Sequence, residues 1–322
     1  DPVLDLEIDA PRGVLAVTAG RLLGHEDLGE RTFSRWRAGR TAGGLPLSAG
    51  EYIQGRLDTP TVPVLTYFSS GSQALAETYL QASARHLAVC EKLHGPYPFD
   101  HFAVVENFFP TGYGMPGYTL LGSSVVRLPF IPATSLRHEV AHCWWGNGVL
   151  VDSSTGNWSE GLTTYVADHL AQEEISAEAA GEYRQRILRD YALLAAGPRD
   201  FPVDGFRFRS DPATQAVGYG KAMFLLHMIR QRMGDERFWA ALREFYAGWL
   251  FREAGWEDML AAFEAAGWDG RERSVFERQW IPSPGAPDMA LGQVEVAPSA
   301  SGFVTSGTVT QKAPFYDLSV TV

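Results

Sequence analysis

His138-Glu139-Val140-Ala141-His142, followed by Trp158-Ser159-Glu160-Gly161, is the stretch around which the chain is organised. On a helix, positions i and i+4 share a face one turn apart, so both imidazoles can point at one metal ion, with Glu139 beside it. The pattern H-E-x-x-H supplies two zinc ligands and a general base. A catalytic zinc takes three protein ligands and keeps a fourth position open. Glu160 is the candidate third ligand, because Ser159 reads as an N-cap and places Glu160 in the first turn of an amphipathic helix continuing over residues 162–169. An αα-hairpin would return that turn to the first helix. The expectation is one Zn2+ per chain, held by His138, His142 and Glu160.

The longer run His138-Glu-Val-Ala-His142-Cys-Trp-Trp-Gly-Asn147, then Trp158-Ser-Glu160-Gly-Leu-Thr-Thr-Tyr165, resembles the aminopeptidase N and leukotriene hydrolase family of zinc peptidases. These are gluzincins, in which HExxH is followed after eighteen residues by Glu. Here 17 residues separate His142 from Glu160, and the shorter spacing is expected in the loop at 151–157, which can lose a residue without moving either helix. The resemblance covers almost the whole chain. It implies an α+β fold with a thermolysin-like, mostly helical zinc peptidase domain flanked by partial β domains, and zinc-dependent hydrolysis of peptide bonds.

In such a site the metal lowers the pKa of its water to about 7, and Glu139 acts as general base, passing the proton on to the leaving amine. The family also uses a tyrosine in a Tyr-x-Lys-(Gly/Ala) run to stabilise the oxyanion. Gly218-Tyr219-Gly220-Lys221-Ala222 resembles that run, which makes Tyr219 the implied donor.

Two departures stand out. Aminopeptidases of the family carry Gly-x-Met-Glu-Asn, whose backbone pairs with the substrate as an added strand and whose Glu holds the free α-amine. Here the run is Gly112-Tyr113-Gly114-Met115-Pro116-Gly117-Tyr118, so Gly114, Met115, Pro116 and Gly117 are the implied substrate-binding residues and Pro116 stands where the Glu belongs. A terminal ammonium loses its charge partner there, and Pro116 offers no N–H. Glu106 is the one nearby acid that could substitute, and it reads instead as a strand-end charge in solvent. The second departure concerns support of the ligands, since a ligating His donates its other N–H to a carboxylate or carbonyl. Relatives often carry a Glu seven residues after the third ligand; here that position is Ala167, with Asp168 adjacent, so Asp168 or a backbone carbonyl is expected to serve.

Composition narrows the remaining classes. The chain has 322 residues, 45% of them hydrophobic, and 27 Lys and Arg against 38 Asp and Glu give a net charge of −11. That balance argues against a nucleic-acid partner. No apolar run approaches the length of a membrane span, and the opening Asp1-Pro2-Val3-Leu4 has neither the charged region nor the cleavage site of a leader. Only Cys90 and Cys143 occur, too few for a disulfide framework. Cys143 follows a ligand directly, but at i+5 from His138 it points to another side of the helix and reads as a small buried thiol.

Along the chain, residues 1–70 read as the C-terminal part of an N-terminal β domain, with strands at 4–8, 14–17 and 62–68, the last of them closing that domain. Residues 71–283 read as the catalytic domain. It opens with a helix over 72–94 and short strands at 102–105 and 118–121, followed by the metal helix at 134–146. Ser176 then caps a helix to about 196, another spans 219–233, and Gly234-Asp235 is a stop-and-cap pair before a helix at 238–250. Residues 284–322 read as a linker and the first strands of a truncated β-sandwich, at 291–296, 302–309 and 315–322.

Two rival readings share these motifs. One is a catalytically silent module that holds a peptide in the cleft, which has no reason to keep His138, Glu139, His142, Glu160 and Tyr219 together. The other is hydrolysis of a non-peptide substrate such as an epoxide, for which no residue argues.

Overall fold

Alternation of charged and apolar residues shapes the first sheet. In the computed structural model, which describes residues 3–39 and 44–318, β1 (Leu4–Pro11), β3 (Arg21–Leu28) and β4 (Arg31–Ala38) form an antiparallel sheet in the order β1-β4-β3, while β2 (Leu15–Thr18) pairs with β5 (Leu47–Gly50). The outer face of the larger sheet carries cross-strand pairs Arg31–Asp9, Arg35–Glu7 and Arg37–Asp5. Exposed pairs of this kind contribute under about 1 kcal/mol each; the burial of Trp36 on the inner face does more.

The sheet that carries the site has five strands in the order β6-β7-β8-β10-β9: β6 (Ile53–Leu57), β7 (Val64–Phe68), β8 (Phe102–Asn107), β9 (Gly112–Met115) and β10 (Tyr118–Gly122). β7, β8 and β10 run parallel and are almost continuously buried, as parallel strands covered on both faces must be. Val64, Phe68, Phe102, Val104 and Leu121 face the helices. Leu65, Tyr67, Ala103, Val105 and Tyr118 face Trp36 and Val17. The segment at 62–68, expected to close the N-terminal β unit, is therefore hydrogen-bonded into the middle of the sheet beside the site. A parallel β7–β8 pair needs a long crossover; α1 (Ala76–His94) provides it and ends at Gly95, whose φ is +109°.

The helix that carries His138 is shorter than its periodicity predicts. α2 spans Ser135–Ala141 rather than 134–146. The chain turns at Gly146, with φ of +110°, so that Trp145–Gly146 becomes β11 and pairs with β12 (Val149–Val151), which in turn pairs with β13 (Glu253–Ala254). Large aromatic residues pin both sides of this turn: Trp144 and Trp158 are wholly buried, and their indole N–H groups donate to the Gly95 and Ala254 carbonyls at 3.0 and 2.7 Å.

Two of the following helices are interrupted by π turns. α3 (Ser159–Thr163) passes through a π segment at Thr164–His169 into α4 (Leu170–Ile175), so the helix expected to stop at 169 continues to 175. Ser176 then accepts from the Ala179 N–H at 3.1 Å and caps α5 (Ala177–Leu194), as expected. α6 (Pro212–Gln215) passes through Ala216–Lys221, again π, into α7 (Ala222–Met233). This helix starts well before 219 because Asp211 and Thr214 cap each other's N–H groups.

Gly234 ends α7 and α8 (Asp235–Trp249) follows, but Asp235 is not a cap: its carboxylate is taken by Arg230. α9 (Trp256–Ala265), α10 (Gly270–Val275) and a third π turn at Phe276–Trp280 complete the helical layer. β14 (Asp288–Ser299) and β15 (Gly302–Lys312) form an exposed hairpin longer than the sequence suggests. Of the third strand expected at 315–322, residues 315–318 are not strand. Residues 319–322, like the opening Asp1-Pro2, lie outside the described residues. Among the described residues no helix is long and apolar enough to cross a membrane.

Candidate metal centre and cleft

His138, on α2, and His142, the residue that caps its C-terminal end one turn on, bring their rings to 4.9 Å. The Nε2 atoms lie 3.3 and 3.2 Å from the same oxygen of Glu160, Oε2. The outer nitrogens are held: Nδ1 of His138 donates to Asp168 at 3.0 Å, and Nδ1 of His142 donates to the Trp145 carbonyl at 2.9 Å. Both supports anticipated from the sequence are thus present, one for each ring. With Nδ1 carrying the proton, each Nε2 lone pair points inward. A tetrahedral zinc with bonds of about 2.0–2.2 Å separates its ligand atoms by about 3.3 Å, so this donor set fits a zinc ion in chemistry and in spacing. Cys143 stays apart, buried beside the Tyr97 hydroxyl, with burial pushing its thiol up to about 12.

Asp168 lies eight residues after Glu160, which in a plain α-helix would turn it about 80° away, whereas a residue seven along returns to within about 20°. The π turn at 164–169 takes up one extra residue, and it brings Asp168 onto the Glu160 face. The end of α3 is built differently from the sequence reading. Ser159 is not the N-cap; its N–H and hydroxyl both donate to the Asn157 side-chain oxygen, at 3.1 and 2.6 Å. An Asn two residues before the helix was the available signal.

Glu139 projects from α2 toward β9. Burial raises its carboxyl pKa against the opposing pull of His142 and His138, with Glu160 and Asp168 adding to the rise. Burial, opposed more strongly by the two imidazoles, leaves Glu160 far below the usual carboxylate range. Tyr219 sits inside the second π turn, its ring parallel to the His138 imidazole at 6.2 Å. Burial first, and then the Glu160 carboxylate, push its hydroxyl far above 10. It stays protonated and can donate.

A cleft of about 770 Å³ runs over these groups, bounded on one side by residues 111–114 and on the other by Phe208, Arg209 and Gln215. Close approach of β9 to α2 depends on glycine. A β-carbon on Gly114 would meet the His142 Cβ at 2.8 Å, and one on Gly112 would meet the Glu139 carboxylate. Of the four residues implied in substrate binding, only Gly114 lines the cleft. Met115 packs with the Trp36 and Tyr67 cluster, and Pro116 and Gly117 form the turn to β10, with Gly117 against His101 and Phe99. The strand position facing the cleft beside His142 is therefore Gly114, not Pro116, and it too lacks a carboxylate.

Glu106 is absent from the cleft as well, and it is not in solvent. Only 3% exposed, it accepts from the Ser69 N–H and hydroxyl and from the Ser72 hydroxyl, with Arg127 at 3.7 Å. Burial raises its pKa, but the hydrogen bonds from Ser123, Ser69 and Ser72 outweigh that and lower it overall.

Comparison with known proteins bears on the same region. Residues 132–278 match the peptidase family M1 domain. The chain is 27% identical over 256 residues to the mitochondrial Aminopeptidase 2 of Saccharomyces cerevisiae, a match covering 72% of this chain and 26% of the yeast protein. It is 27% identical over 227 residues to human Aminopeptidase RNPEPL1, covering 62% of this chain and 30% of the human one. The chain thus spans less than a third of the length of these relatives. In structure it is similar to an M1 zinc metallopeptidase from Deinococcus radiodurans, with a TM-score of 0.69 and 20% identity over 89% of this chain and 65% of that one. A mutant of a Deinococcus M1 zinc metallopeptidase bound to a Tyr-Ser-Ala substrate superposes with a TM-score of 0.68 at 19% identity. At these identities the structural likeness is one of fold.

Proposed function

We propose that this chain belongs to the M1 family of aminopeptidase N-like zinc metallopeptidases, whose domain matches residues 132–278, and that it is a zinc-dependent hydrolase of peptide bonds. The observation that carries the reading is the convergence of two imidazole Nε2 atoms on one Glu160 oxygen while both Nδ1 atoms are tied outward. In this reading one zinc binds per chain through His138, His142 and Glu160. In this reading residues 71–283 are a thermolysin-like catalytic domain, between β regions at 1–70 and 284–322; the boundary at 70 falls between β7 and α1, and the sheet continues across it.

Zinc, when bound, supplies Lewis acidity, lowering the pKa of a water to about 7 and polarising a carbonyl. The chain's own residues do the rest. Glu139 takes the proton of the attacking water and delivers it to the leaving nitrogen. Asp168 and the Trp145 carbonyl keep the two rings in one tautomer and orientation. Tyr219, protonated, donates a hydrogen bond to the substrate oxygen as charge develops on it. Among the described residues β9 is paired on one side only, so an extended peptide can add to its free edge along the cleft. The carboxylates lining the cleft among the described residues are Glu139, Glu160 and Asp168, and all have these other tasks. No cleft carboxylate among the described residues remains to hold a terminal ammonium, which disfavours strict aminopeptidase specificity.

The test is metal analysis of the purified protein together with cleavage of an internally quenched peptide. We expect one equivalent of zinc, lost in His142→Ala, and cleavage that disappears in Glu139→Gln with the zinc retained. Full zinc retention in His142→Ala would overturn the ligand set. Zinc with no cleavage of any peptide would favour the silent binding module.

A further inference from the structure

We propose that Arg209 recognises a substrate carboxylate, so that the cleft prefers peptides bearing a negative charge on the Tyr219 side of the scissile bond. This deepens the peptidase reading and rests on it. Among the described residues that line the cleft, Arg209 is the single Lys or Arg. It is exposed, and among the described residues no carboxylate or carbonyl takes its guanidinium. Arg21, Arg85 and Arg189 are also without an acid partner among the described residues, but Arg209 alone of these lines the cleft.

The segment that presents Arg209 is anchored on both sides. Phe206 is buried and packs edge-on to the Tyr219 ring at 5.9 Å. The guanidinium of Arg207 is tied to the carbonyls of Asp204, Phe206 and Ser154. On the other side Asp211 starts α6 by capping Thr214. Between these anchors Arg209 is close enough that its charge acts on the Tyr219 hydroxyl, opposing the rise that burial imposes. A planar guanidinium with no internal partner, at the edge of a cleft whose own acids are engaged, is suited to a carboxylate, which it can hold through two parallel N–H donors. A side-chain carboxylate and a C-terminal one offer the same chemistry.

The experiment uses the zinc-loaded protein and quenched peptides in matched pairs. One pair carries Glu or Gln on the Tyr219 side with an amidated C-terminus; the other carries Gln there with a free or amidated C-terminus. We expect one carboxylate peptide to exceed its amide counterpart about tenfold in kcat/KM, the factor a charge-assisted hydrogen bond of ordinary strength supplies, expressed mainly in KM. Which pair shows it identifies the source. Arg209→Gln should collapse that ratio toward one, Arg209→Lys should keep part of it, and salt should reduce it. Equal rates within both pairs would overturn the proposal. So would an Arg209→Gln that slows carboxylate and amide peptides by one factor, since the arginine would then be acting on the catalytic groups. Should no peptide be cleaved, the peptidase reading fails, and the same ratios read as Kd by fluorescence anisotropy still decide the role of Arg209.

Discussion

A β-carbon placed on Gly112 would stand 2.5 Å from Oε1 of Glu139, so the edge strand and the proposed general base share a space that admits no side chain on the strand. The obstacle is the far end of a flexible side chain, and the carboxylate can swing away without disturbing the backbone. We therefore expect Gly112→Ala to fold with nearly the parent melting temperature and bind zinc, while losing at least about tenfold in kcat through a misplaced base. Peptide hydrolysis at parental kcat would show that Glu139 does not act from this position.

Glu139→Gln should retain zinc and lose about 10²- to 10⁴-fold in turnover, the range expected for removal of a general base. Tyr219→Phe should also retain zinc and lower kcat by about 10²- to 10³-fold. KM should change little, the mark of an interaction made mainly in the transition state. Steady-state kinetics beside metal analysis separates these effects. A Tyr219→Phe variant with parental kcat would remove the oxyanion role.

A free N-terminus should bring little advantage. Gly114 faces the cleft where an amine-binding carboxylate would be needed, Pro116 lies off it, and Glu106 is engaged by Ser69 and Ser72. We expect kcat/KM for a peptide and its N-acetylated form to agree within about threefold. A drop of about a hundredfold on acetylation, about 2.7 kcal/mol, would show that another group holds the amine.

His94 gives the pH prediction. It is wholly buried among Trp144, Trp145 and Trp239, neither ring nitrogen finds a partner, and burial pushes its pKa down to about 3. An unfolded chain binds that proton near 6.5, so the stability is present above 6.5 and lost as pH falls toward 3. The slope from this group approaches about 1.4 kcal/mol per pH unit. His169 and His227, both lowered to about 4 by burial, act in the same sense. Denaturant midpoints measured between pH 7 and 4.5 should fall less steeply in His94→Phe; an unchanged slope would mean that His94 does not hold its neutral form.

What was legible in the sequence was the chemistry set by local spacing. His138 and His142 needed only a helix, and Glu160 needed only a second helix nearby. Tyr219 was visible through a short run, although it lies inside a π turn and not at a helix start, a distinction that apolar periodicity does not carry. Residues whose meaning depends on strand pairing were less readable. Pro116 drew attention as a substituted residue, but the β9–β10 register places it in the turn and leaves Gly112 and Gly114 against α2. The same holds for β7, whose parallel partner residues are 38 positions away in sequence, beyond α1. Glu106 looked like a solvent charge because its serine partners come from a different part of the chain.

The widened turn between Glu160 and Asp168 amounts to one spare residue stored inside a helix. Removing Ala167 would let residues 159–175 close into an ordinary α-helix with the aspartate seven positions after the ligand, still over the imidazole of His138. The 17-residue spacing between His142 and Glu160 is one fewer than the resemblance implies, and the shortening is expected in the loop at 151–157. Length can thus be moved between that loop and this helix without either histidine losing its support, so the numbering of a metal-binding motif can drift by one while its three-dimensional reading frame is preserved.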